Sequence, residues 1–105
     1  MQDVTIEFWT YDMATRKKER FAELLVHAAG GFEVISGHLS RRFENELRTR
    51  PLRVPPTTVD DYLHPRMVLP KDGIEWARAV LWDNRGIDFW AEMKEGAPDR
   101  QASAP

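Results

Sequence analysis

The stretch Ile74-Glu75-Trp76-Ala77-Arg78-Ala79-Val80-Leu81-Trp82-Asp83-Asn84-Arg85-Gly86-Ile87-Asp88-Phe89-Trp90-Ala91-Glu92-Met93 decides how this chain is built. It admits two readings. In one, a helix starts at Asp72 and Glu75 completes a capping box. In the other, a hairpin folds about Asp83–Gly86, with Asn84-Arg85 at the centre of a type I turn and Gly86 in the bulge position. The hairpin sets Trp82 opposite Ile87, Val80 opposite Phe89, Arg78 opposite Ala91 and Trp76 opposite Met93. That face is nearly all apolar, and aromatic cross-strand pairs stabilise sheets. The hairpin over 76–93 is therefore the preferred reading.

Working outward, Val4-Thr5-Ile6-Glu7-Phe8-Trp9-Thr10 alternates and places Val4, Ile6 and Phe8 together, which predicts a strand over 4–10. Phe21, Leu24, Leu25 and Ala28 fall at i, i+3, i+4 and i+7. This spacing predicts an amphipathic helix over 14–29, capped by Asp12 or Thr15 and stopped at Gly30-Gly31. Ile35, Leu39, Phe43 and Leu47 recur every fourth residue, which predicts a second helix over 36–48 after a short extended piece at 32–35. Residues 51–70 hold five of the seven prolines and read as a surface loop. Within it Thr58 caps a short helix through Leu63, with Asp60 and Asp61 in its first turn. The predicted fold class is α+β: a small, mainly antiparallel sheet (strand 4–10 and the 76–93 hairpin) packed on two main helices. One globular domain is expected over 1–94, with a flexible tail over 95–105.

Composition narrows the function. The chain has 105 residues, no cysteine and a net charge of −2. Disulfides and cysteine-based metal or redox chemistry are excluded. Residues 1–53 carry nine basic and eight acidic side chains, residues 54–105 six and nine, so neither half offers the field a polyanion demands. No apolar run is long enough to span a bilayer and no signal segment is visible, so no membrane partner and a cytoplasmic location are expected. There is no Gly-rich phosphate loop, no nucleophile elbow and no His-Glu-x-x-His, and no cofactor or metal is expected. The histidines are His27, His38 and His64. Asp60 and Asp61 lie near His64, and Asp60 stands four residues before it, an i,i+4 pair if that turn is helical; a helix-end histidine beside acidic caps accounts for it.

Three constellations remain. Leu39-Ser40-Arg41-Arg42-Phe43-Glu44-Asn45-Glu46-Leu47, followed by Pro51 and preceded by Gly31-Phe32, resembles the recognition region of AraC-type transcription regulators. It departs from that pattern at Arg48, where such proteins usually carry glycine, and by one extra residue between Phe32 and Leu39. The resemblance implies a helix-turn-helix that presents Ser36, His38, Ser40, Arg41 and Arg42 to DNA, arginine reading guanine and serine holding phosphate. An amphipathic helix with a solvated arginine face is the competing reading. The second constellation is aromatic. Trp9 and Trp90 fall on the faces opposite the main apolar sets, so a helix layer on one side of the sheet leaves both partly exposed. With Arg85 they make a candidate protein-binding hot spot. A second layer over that face would make them core instead. Third, Val80-Leu81-Trp82-Asp83-Asn84-Arg85 running into Phe89-Trp90 is similar to small antibiotic-biosynthesis monooxygenases. That resemblance implies a dimeric α/β barrel and requires helix at 87–93.

The leading expectation is a small non-enzymatic interaction or regulatory module, inhibitor- or immunity-like, whose partner is a protein. A nucleic-acid partner through residues 36–50 is the alternative and a small dimeric enzyme the second alternative; a homodimer is compatible with each.

Overall fold

The computed structural model describes residues 2–83 and 89–95. In chain order the elements are β1 (Val4–Asp12), β2 (Lys17–Val26), β3 (Phe32–Gly37), α1 (Arg41–Thr49), β4 (Leu52–Arg53), α2 (Val59–Leu63), β5 (Met67–Val68), a 3-10 turn at Pro70–Asp72, α3 (Ile74–Trp82) and β6 (Phe89–Glu95). The main sheet has four antiparallel strands in the order β3-β2-β1-β6, and β4 and β5 form a separate two-stranded ribbon. The fold class is α+β with a mainly antiparallel sheet packed against helices.

One face of the sheet makes the core. Val4, Ile6 and Phe8 from β1 and Ala22, Leu24 and Val26 from β2 are buried, because alternate strand residues share a face. Trp76, Ala77, Ala79 and Val80 of α3 pack into the same core, and Leu47 brings in α1. Trp76 is fully buried and stacks on Phe32 at 5.1 Å between ring centroids. Phe8, Phe21, Phe43 and Phe89 meet in an aromatic cluster with centroids 5.5–6.4 Å apart, a range in which edge and tilted contacts are favourable.

Several predicted elements differ from the structure. Residues 17–26 are strand β2, not part of a helix over 14–29. Asp12 does cap, but it closes a hairpin: its Oδ1 accepts from the Ala14 N–H at 2.9 Å, and Arg16 takes a left-handed φ of 57°. A bulge explains the misleading spacing. Phe8 faces Ala22 while Trp9 faces Arg20, so Phe21 is an extra residue and its ring joins the core side with Ala22 and Leu24. Two adjacent inward residues break the two-residue period and imitate a helical stripe.

The preferred hairpin over 76–93 is likewise overturned. Residues 74–82 form helix α3, and the apolar residues 89–93 pair with β1 instead, Phe8 opposite Ala91 and Ile6 opposite Met93. The hairpin put Arg78 on the apolar face; in α3 Arg78 is exposed while its neighbours Ala77 and Ala79 are buried. Alanine favours helix. The proposed turn residues 84–86 lie outside the described residues, as does the expected tail beyond Glu95, which itself ends β6. The second helix begins at Arg41, not Ser36, because the Ser40 Oγ caps it from the Phe43 N–H at 3.1 Å and 32–37 is strand. The strand at 4–10 and the Thr58-capped helix with Asp60 and Asp61 in its first turn stand as predicted. The proline-rich loop is tied shut by the β4–β5 ribbon, with Leu52, Val54 and Val68 buried beneath it.

Candidate functional site

Helices α1 and α3 lie on the core side of the sheet, and no described element covers the other side. Trp9 and Trp90 sit there as direct partners across β1 and β6. Both are half-buried, as expected for a sheet covered on one side. Lys18 organises the pair. Its ammonium lies 4.6 Å from the centre of the Trp9 ring and 3.7 Å from the Glu92 carboxylate. Glu92 in turn accepts from the Trp90 indole N–H at 2.8 Å. The two rings are thus held in place by a cation–π contact on one side and an acceptor on the other. The Trp9 indole N–H is buried and finds no acceptor among the described residues.

Beside the pair, Glu7 is only 1 % exposed although it belongs to the uncovered face. Arg20 reaches it at 2.8 Å and Lys94 at 3.2 Å, and Arg20 also touches Glu23 at 3.4 Å. Burial opposes ionisation of Glu7, but hydrogen bonds and charge from Arg20 and Lys94 outweigh it, so its carboxyl is held below the usual glutamate range. The long basic side chains lie over the acidic residues and shield them. Acids and bases on this face are matched, which leaves the aromatic rings as its distinctive chemistry.

Arg85, the third predicted contact, lies outside the described residues. The five residues assigned to DNA do not share a helix. Ser36 is in β3, His38 is in the following loop, Ser40 is the N-cap, and only Arg41 and Arg42 are in α1. The first helix of the helix-turn-helix is strand β2, so that outline is absent. Arg42 is spread on the surface with Glu46 at 3.6 Å, an exposed i,i+4 pair. The barrel resemblance needs helix at 87–93, but Phe89–Glu95 is an edge strand. His64 is the C-cap of α2, its backbone N–H donating to the Asp60 carbonyl at 2.7 Å. No cluster of three metal-ligating side chains is present among the described residues, nor is any described helix long and apolar enough to cross a membrane.

Two features escaped the sequence reading. Val59, Tyr62 and Leu63 on α2 are 76, 66 and 69 % exposed, an apolar stripe with no core to face. Its i, i+3, i+4 spacing was legible, but nothing in the sequence says whether a five-residue helix meets the core. The other is His27, whose ring nitrogens lie 3.4 Å from Asp3 and 3.6 Å from Glu33. Asp3 also accepts from the Ala28 N–H, which holds its carboxyl below the usual range. Those three residues come together only through the strand register.

Comparison of the chain with protein families, with curated proteins and with solved structures finds no match.

Proposed function

We propose that this protein is a non-enzymatic interaction module that docks another protein on the open face of its sheet, around Trp9 and Trp90. One observation carries the reading: the two tryptophans lie side by side on a face that no described element covers. Tryptophan is the residue most enriched in binding hot spots, and rings already fixed by neighbours lose little freedom on docking. Tyr11, 46 % exposed at the same end of β1, enlarges the aromatic surface. The balanced charge of this face suits a protein surface and gives no drive toward a polyanion. The apolar stripe of α2 supports the same class of function, because a patch of that kind marks contact with a partner.

The test is capture of cross-linked partners from the native host, followed by titration of the recovered protein against purified variants. Trp90→Ala should keep the circular dichroism of the parent and weaken binding by at least about 2 kcal/mol, roughly thirty-fold. Arg41→Ala/Arg42→Ala should bind as the parent does. Unchanged affinity in Trp90→Ala, or its failure to fold, removes the reading. A DNA mobility shift that falls steeply with salt and is lost in the double variant favours nucleic acid instead.

A further inference from the structure

A cavity of about 430 Å³ opens on the helix side of the sheet, on the opposite face from Trp9 and Trp90. Its floor is apolar: Phe8, Phe43 and Phe89 from the aromatic cluster, with Leu47, Leu52 and Val80. Its size is that of small-molecule sites, which are apolar with a few placed polar groups. The polar groups here are Glu46, Arg50, Arg53 and Asp83.

Their charges do not cancel at the site. Glu46 faces Arg42 outside the cavity at 3.6 Å, and Asp83 is already engaged. Among the described residues no carboxylate pairs with Arg50 or Arg53. The Arg53 guanidinium is held 5.7 Å from the centre of the Trp82 ring. Its Nε–H is buried and meets no acceptor among the described residues. A buried donor left without an acceptor is costly, so native structures seldom keep one. A guanidinium matches the planar carboxylate best, because its two parallel N–H groups fit two oxygens.

We infer that this cavity binds a small organic acid, its apolar body on the three phenylalanine rings and its carboxylate at Arg53 and Arg50. The inference is independent of the docking reading, since it uses the other side of the sheet.

Octanoate is the probe and octan-1-ol its uncharged control, titrated into the full chain by calorimetry. Octanoate should bind with a Kd below about 1 mM, at least ten-fold tighter than the alcohol. Arg50→Met, at an exposed position, and Arg53→Met should each lose most of that difference. If Arg53→Met does not fold, Arg50→Met and the amide shifts of the parent protein decide. Octanoate should then move Phe43, Leu47, Leu52 and Val80 and leave Trp9 unmoved. Equal affinity for acid and alcohol, parent-like binding in Arg50→Met, or shifts outside the cavity each overturn the proposal.

Discussion

Glu7 shows what one residue does to a sheet face. A carboxylate is costly to bury, yet Glu7 is 1 % exposed because Arg20 and Lys94 replace its water. Both cations reach solvent, so they can rehydrate when the acid is removed. Glu7→Gln should therefore destabilise by about 1–2 kcal/mol, less than the loss of a fully buried pair. The pH dependence has a fixed sign. A carboxyl lowered in the folded state adds stability that is fully present above the ordinary glutamate value. That stability is lost as pH falls through the lowered value. Urea melts of parent and Glu7→Gln should differ at pH 7 and converge in acid; a constant gap refutes the ion-pair account. At this scale the sequence was partly readable. The alternation of β1 placed Trp9 opposite Val4, Ile6 and Phe8, and the same alternation put Trp90 opposite Phe89, Ala91 and Met93. That the two rings are neighbours depends on which strand β6 joins, and no local pattern encodes a strand's partner. The same holds for Arg53 and the cavity floor, which come from five separate elements.

Elements were legible where a local rule acts alone. Thr58 was legible because a hydroxyl before an acidic first turn is a local device; Ser40 caps α1 by the same device, but the four-residue apolar spacing carried the predicted helix past it to Ser36. β2 was hidden because its bulge at Phe21 disrupts the period that identifies strands. α3 was hidden because its apolar residues also alternate. The joint between these elements is backbone against backbone. At Gly30 a Cβ would sit 2.1 Å from the Lys71 carbonyl oxygen, and at Gly73 it would sit 2.3 Å from that of Ala28. The Gly31 N–H also donates to the Pro70 carbonyl at 2.8 Å. The β2–β3 turn and the start of α3 thus interlock through two absent side chains. Gly73→Ala should cost about 3 kcal/mol or more, from its positive φ and the collision together. Gly31→Ala, at a positive φ but with open space around it, should cost only about 1 kcal/mol. Denaturant midpoints compare the two; equal losses would show that the packing at Gly73 yields.

Across the whole molecule, stability follows how many neighbours each element has. β1 is hydrogen-bonded on both sides, by β2 and β6, and three of its residues are fully or almost fully buried in the core. α2 buries no residue. Amide hydrogen exchange should accordingly be slowest at Ile6 and Phe8 and fastest among the described helices at Tyr62 and Leu63. Uniform protection would overturn this ranking. The strand order was beyond the sequence for the same reason that it matters. β1 and β2 meet through a four-residue turn, whereas β1 and β6 are separated by nearly everything else. A ribosome releases β1 long before it releases β6. Throughout that interval one row of β1 amides and carbonyls, and the rings of Phe8 and Trp9, have no mate on that side. The nascent chain must be kept from stray strands until its own arrives, and the pace of translation between residues 12 and 89 sets how long that wait lasts.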